Sequence, residues 1–161
     1  MAPTLRPYQP TDRAATSLVH FRAIREGAVA HYSAAELEAW APSPHFDADH
    51  PDKLLSQWCL VAEEAGRMTG YMSMDDAGYL DTAFVLPEVM GKGTAAALYD
   101  ALMTIARAHG LTRFTVRAVH QSQRFLSRRG WLVDRFERLV VDGQVYDLFH
   151  MSLTDPKATI P

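Results

Sequence analysis

The chain has 161 residues, 48% hydrophobic and 22% charged, with a formal net charge of -3. That length allows one domain with a sizeable core and is short for two. Its charges are spread rather than blocked, and no apolar run approaches the roughly 20 residues that span a bilayer, so neither nucleic acid nor a membrane is expected as a partner.

The opening Met1-Ala2-Pro3-Thr4 lacks the basic and apolar regions of a signal peptide, so a cytoplasmic setting is expected. Leu5-Arg6-Pro7 reads as a short strand. Thr11 then caps a helix whose apolar positions Ala14, Leu18, Phe21, Ile24 and Ala28 recur at spacings of three and four, the stripe of a helix lying on a sheet. Ser33-Ala34-Ala35-Glu36 is a capping box that starts a second helix, which stops before Pro42. Three prolines make Pro42 to Pro51 a loop, and a short helix follows over Asp52 to Ser56. His45 and His50, with Asp47 and Asp49 near them, lack a distinctive ligand spacing, so no metal is expected.

Strands over Trp58 to Glu63, Thr69 to Asp75 and Tyr79 to Leu86, with turns at Ala65-Gly66-Arg67 and Asp76-Ala77-Gly78, make an antiparallel meander. Cys59, the single cysteine, reads as a small buried hydrophobe and excludes an internal disulfide. The strand ending at Val85 and Leu86 runs through Met90-Gly91-Lys92-Gly93-Thr94-Ala95 straight into a helix. Glycines let the main chain turn sharply and approach a ligand, while the first helical N–H groups lack partners inside the helix. The helix dipole and Lys92 add positive charge, so a pyrophosphate is the natural occupant. Ala97, Leu98, Ala101, Leu102 and Ile105 share one face of that helix, and Gly110 ends it. Phe114 to Val119 is the next strand, Ser122 to Arg129 a helix stopped by Gly130. Trp131 to Val141 and Gln144 to Leu153 form a hairpin around Asp142-Gly143. The domain is expected over 1–153 and a disordered tail over 154–161.

This order of elements resembles the GNAT superfamily of N-acetyltransferases over nearly the whole chain. Met90 to Ala95 follows the family pattern Gln/Arg-x-x-Gly-x-Gly/Ala at its fourth and sixth positions. Phe125-Leu126-Ser127-Arg128-Arg129-Gly130-Trp131 follows Phe-Tyr-x-x-x-Gly-Phe, and the stretch from His31-Tyr32-Ser33 to Glu38-Ala39-Trp40-Ala41-Pro42 is similar to a bacterial subgroup. The resemblance implies an α/β single domain with a mixed, mostly antiparallel twisted sheet flanked by helices. It implies acetyl-coenzyme A as co-substrate, with the main chain of Phe84 and Val85 along the pantetheine arm. The backbone of Met90, Gly91, Lys92, Gly93, Thr94 and Ala95 would hold the pyrophosphate. Arg124, Arg128 and Arg129 would face another part of the coenzyme. The chain departs from the pattern at Met90, at Val119 in place of an asparagine, and at Leu126, which stands where relatives have a tyrosine that protonates the leaving thiolate.

The acceptor amine attacks only when neutral, and at pH 7 an ammonium of pKa roughly 10.4 carries a penalty of roughly 4–5 kcal/mol. Asp81, inside the third meander strand and on the face of Ala83 and Val85 by alternation, is the candidate base, with burial expected to raise its pKa. His120 and Tyr146 are candidate acids or proton carriers. Tyr32 and Trp40, with His45, Phe46 and Phe149, are candidate lining of the acceptor pocket, a small-molecule or peptide amine being the expected acceptor. A non-catalytic acyl-coenzyme A binding or sensing module is the alternative. Exposed hairpin edges leave a homodimer open.

Overall fold

The computed structural model describes residues 2–156. Along the chain run β1 (Thr4–Pro7), α1 (Arg13–Arg25), α2 (Ala34–Trp40), β2 (Trp58–Glu64), β3 (Arg67–Met74), β4 (Tyr79–Val85), α3 (Thr94–Ala108), β5 (Arg113–Ala118), α4 (His120–Ser127), β6 (Leu132–Val141) and β7 (Gln144–Thr154). Short 3-10 turns at Pro10–Asp12, Lys53–Ser56 and Pro87–Val89 join them. The strands make one sheet in the order β1-β2-β3-β4-β5-β7-β6. Only β4 and β5 pair in parallel, so the expected mixed, mostly antiparallel α/β architecture is the one found.

Period-two alternation sorts the sheet's side chains into two cores. On one face Leu60, Met72, Met74, Leu80, Phe114 and Met151 pack against Leu98, Leu102 and Met103 of α3 and Leu126 of α4. Trp131 belongs to the same core, and its indole N–H donates to the Tyr99 hydroxyl at 2.8 Å, which satisfies both buried polar atoms. On the other face Val61, Tyr71 and Leu86 meet Val19 of α1. The α2 capping box forms as its sequence dictates, Glu36 N–H to Ser33 Oγ and Ser33 N–H to the Glu36 carboxylate. Asp142 and Gly143 both take left-handed φ, 49° and 75°, the backbone of a two-residue hairpin turn whose twist matches its strands.

Helix α1 differs from its expected form. A 3-10 turn intervenes, so the N-cap is Asp12 and not Thr11, and the helix ends at Arg25, short of Ala28. Its buried positions are Thr16, Val19, Ala23 and Ile24, whereas Ala14 is exposed and Leu18 is 48% exposed. Of the expected stripe, Ile24 and Ala28 are buried in one cluster with Leu37 and Ala41, while at the start of the helix Thr16 and Val19 face inward in place of Ala14 and Leu18. At the other end, Thr154 still pairs in β7 and Asp155 accepts two hydrogen bonds from Arg107, at 2.7 and 2.9 Å. Order therefore reaches past the expected boundary at 153, and residues 157–161 lie outside the described residues.

Two irregularities in β4 shape the space beside it. Its parallel pairing with β5 covers only Tyr79 with Thr115 and Leu80 with Val116, after which the strands part. Against β3, Ser73 pairs with Thr82 but Met74 pairs with Leu80, which leaves Asp81 as the extra residue of a bulge.

Candidate functional site

From Asp81 onward β4 has β3 along one edge and no strand along the other. An unpaired strand edge is a row of unsatisfied donors and acceptors, here the main chain of Ala83 and Val85, while that of Phe84 pairs with Tyr71 of β3 by the alternation that the Leu86 to Thr69 bond sets. The strand leads into a turn pinned at its start by Leu86 N–H to Thr69 O, 2.8 Å. Met90 and Lys92 spend their amides inside the turn, on the Pro87 and Val89 carbonyls. Among the described residues, the N–H groups of Gly91, Gly93, Thr94, Ala95 and Ala96 have no protein acceptor. Gly91 and Gly93 hold φ of 75° and 88°, and a Cβ on either would meet nothing within 4 Å. The glycines therefore serve the left-handed turn, and the space beside both Cα atoms is open. An anion at a helix N-terminus needs just this arrangement, so the residues present fit a pyrophosphate.

The side chains of Thr94, Met90 and Glu88 are directed away from this cradle, and that of Lys92 is exposed. Thr94 Oγ1 is buried and unpartnered, so this residue offers its amide and not its hydroxyl. The Met90 methyl lies where a Cβ on Gly27 would have to go, which lays this side chain on the end of α1. Glu88 accepts from Arg22 of α1 through two bonds of 3.0 Å and from Arg67 of β3, a clamp that fixes the turn to both elements. The Arg22 bonds foremost hold the Glu88 carboxyl down at about 2.

On the α1 face of β4 is a cavity of about 570 Å³ whose lining includes His20, Trp40, Lys53, Asp81, Thr82 and Phe84. The bulge decides this composition. Leu80 sits in the α3 core, while Thr82 bonds Ser73 at 2.6 Å and lines the cavity. Asp81 therefore shares a site with Thr82 and Phe84, not with Ala83 and Val85 as plain alternation requires. Its setting is not apolar either: Oδ2 accepts from Gln57 Nε2 and from Lys53 Nζ, both at 2.9 Å, with the side chain 18% exposed. Oδ1 has no partner among the described residues.

The other candidates separate into two groups. Trp40, His45 and Phe46 join Asp81 in the cavity lining. Tyr32 and Tyr146 lie behind Trp40 in a three-ring cluster with centroids 5.5 to 6.0 Å apart. The Tyr146 hydroxyl donates to the Glu36 carbonyl, tying β7 to α2, and burial holds its phenol above the ordinary range. The Tyr32 hydroxyl is buried without a partner, and burial raises its pKa too. His120 opens α4, edge-on to Phe149 at 5.0 Å with Nε2 3.6 Å from Asp147.

Of the three arginines, Arg124 and Arg128 are exposed while Arg129 stacks over Phe125 at 3.7 Å. Burial, with Asp52 and Asp12 nearby, pushes the Cys59 thiol up to about 12, the behaviour of a core residue. Among the described residues no cluster of three or more His, Cys, Asp or Glu is arranged to hold a metal ion, and no helix is long and apolar enough to cross a membrane. Sequence reasoning missed His20, Lys53 and Gln57. The available signal was a histidine four residues after Thr16, which puts His20 on the same face of α1 as that buried threonine.

The acetyltransferase (GNAT) domain family matches residues 29–154. An uncharacterized N-acetyltransferase of Escherichia coli (strain K12), YafP, is 28% identical over 147 residues, 91% of this chain and 93% of that protein. A GCN5-related N-acetyltransferase structure from Rhodopseudomonas palustris superposes with a TM-score of 0.86 at 28% identity, covering 96% of each chain. The fold is also shared by yncA, a putative acetyltransferase of Salmonella typhimurium solved with its cofactor acetyl-CoA, with a TM-score of 0.69 at 24% identity and coverage of 100% and 98%. With a wedge and cradle on one side of β4 and a family match over most of its length, the chain belongs to the GNAT family of N-acetyltransferases.

Proposed function

We propose that a primary amine in the cavity beneath α1 attacks acetyl-coenzyme A held in the wedge and cradle, with no covalent enzyme intermediate. One observation carries this reading: the parting of β4 from β5 after two paired residues opens a backbone edge that leads directly to the free amides of the α3 N-terminus. In this reading the main chain of Val85, with Ala83 in place of Phe84, lies along the pantetheine arm, and Met90 to Ala95 hold the pyrophosphate. That yncA was solved with acetyl-CoA supports the assignment. Asp81, with Oδ1 uncommitted, attracts the ammonium, and Trp40 forms an aromatic wall with Tyr32 and Tyr146 behind it. The buried thiol of Cys59 argues against a route through an acyl-cysteine. Leu126 supplies no proton, yet a coenzyme A thiol, with pKa roughly that of cysteine at 8.5, leaves without an acid. A homodimer finds its support in edge strand β6, which exposes Leu132, Phe136 and Val140.

The test is calorimetric titration with acetyl-coenzyme A of the native chain and of Gly93→Glu. Glutamate brings an L side chain to φ of 88° and a negative charge into the cradle. The expected result is binding to the native chain that weakens by about 100-fold or more in the variant, two charge-assisted contacts' worth. No binding to the native chain overturns the assignment.

A further inference from the structure

We propose that the His20 imidazole is the group that takes the proton from the acceptor amine, an inference that rests on the reading of the cavity as the acceptor site. His20 lies one turn after Thr16 on the face of α1 that overlies β3 and β4, and its ring lines the cavity. The ring meets Phe84 edge-on, centroids 4.6 Å apart and planes at 78°. Phe84 belongs to the stretch of β4 whose free backbone edge forms the wedge, so His20 stands one aromatic ring away from the strand that the thioester must lie beside.

His45, the other histidine of the lining, stands exposed on the 42–51 loop, and most of the remaining ionisable groups of the cavity are engaged. Asp81 Oδ2 is held by Lys53 and Gln57, Asp52 accepts from the Tyr8 hydroxyl and the Leu54 amide, and Arg13 donates to the Asp47 and His50 carbonyls while covering the Phe46 ring. His20 has no hydrogen-bond partner for either ring nitrogen among the described residues. A buried, satisfied core histidine would have one.

The groups facing His20 set its charge. They are Arg13 of its own helix, Asp52 and Lys53 of the 3-10 turn, Asp81 of β4, Tyr71 of β3 and His45 of the 42–51 loop. Burial, and then the positive charge of Lys53, hold His20 below the usual histidine range, and burial keeps Tyr71 neutral. At neutral pH the imidazole is therefore uncharged, with a lone pair to offer.

In the step itself, a proton passes from R–NH3+ to the free imidazole nitrogen, directly or across one water, leaving R–NH2. The nitrogen lone pair forms the C–N bond at the thioester carbonyl, and the carbonyl π electrons move to oxygen. When they return, the C–S bond breaks and its electrons leave on sulfur. The second proton on nitrogen goes to that thiolate, giving amide and thiol, and the imidazolium releases the first proton to solvent.

A panel of primary amines is screened for turnover, and kcat/KM against pH is then measured for one that reacts, with the native chain and with His20→Gln. The native profile should be level from about pH 7 to pH 9, because the enzyme itself removes the proton. His20→Gln should lose about 100-fold at pH 7 and rise with unit slope toward the amine's own pKa, since only amine already neutral in solution reacts. Retained acetyl-coenzyme A binding shows that the variant is folded. In case it is not, the His20 ring is titrated by NMR in the native chain, where a midpoint below 6.5 is expected. A level profile in His20→Gln with less than threefold loss overturns the assignment, as does an NMR midpoint above 7.5. If no amine turns over while acetyl-coenzyme A binds, it is the acceptor-site reading that fails, and the His20 role falls with it.

Discussion

Asp81 occupies the one place in β4 where the chain carries a residue more than its partner strand, and that extra residue turns a carboxylate into the cavity with one oxygen already spoken for. A carboxylate so held is suited to attracting an ammonium. Asp81→Asn should raise the KM for the amine by about tenfold, the loss of one charge-assisted contact, while the affinity for acetyl-coenzyme A in calorimetry stays unchanged. Tyr146 makes the opposite case. Its proton is committed to the Glu36 carbonyl, so Tyr146→Phe should cost about 1 kcal/mol in urea unfolding and leave kcat unaltered. A tenfold or greater fall in kcat would instead assign Tyr146 a place in proton transfer.

At the scale of elements, α1 is the part on which site and stability both depend. Its N-terminus is fixed by Asp12, which accepts from Arg6 at 2.7 and 2.8 Å and from the Gln9 amide at 2.8 Å, while Arg6 also bonds Glu63. The Arg6 bonds foremost hold the Asp12 carboxyl below its ordinary value, with burial opposing and the Gln9 amide assisting. Because the folded value is the lower one, this contribution is fully present above about pH 4 and is lost as pH falls through the folded value. Asp12→Asn should lower stability at pH 7 by about 2 kcal/mol and flatten its decline below pH 4, measured by urea unfolding across pH. An unaltered acid decline would place the responsible carboxylate elsewhere. The Arg22 and Arg67 clamp on Glu88 joins α1 and β3 to the cradle, so the helix that carries His20 is also tied to the turn that would hold the coenzyme.

For the molecule as a whole, the weak seam is the junction of β4 and β5, where two paired residues and the Thr115 amide to Gly78 carbonyl bond of 3.0 Å join the halves of the sheet. The same seam is the mouth of the wedge, so the sheet is thinly joined where the proposed coenzyme site opens. Gly78 makes the approach possible: it holds φ of 86°, and a Cβ there would lie 2.5 Å from the Arg113 carbonyl oxygen. Gly78→Ala should therefore destabilise the fold by about 2 kcal/mol, from left-handed strain and the clash together, read as a lower urea midpoint at unchanged slope. A neutral substitution would mean that the seam relaxes freely.

Local chemistry alone determined much of this protein. The capping box at Ser33, the Asp142-Gly143 hairpin, the meander and the glycine turn into α3 were legible because each depends on neighbours in the chain, on φ, on caps and on alternation. Tertiary structure decided the rest. Asp81 changed its face through a bulge that pairing with β3 imposes, and the first turns of α1 bury Thr16 and Val19 in place of Ala14 and Leu18, while Ile24 and Ala28 are buried as their spacing requires. His20, Lys53 and Gln57 come to Asp81 or to its cavity from two other segments, α1 and the stretch around the Lys53–Ser56 turn. Spacing along the chain records periodicity within an element but not which elements meet, and the site is made where they meet.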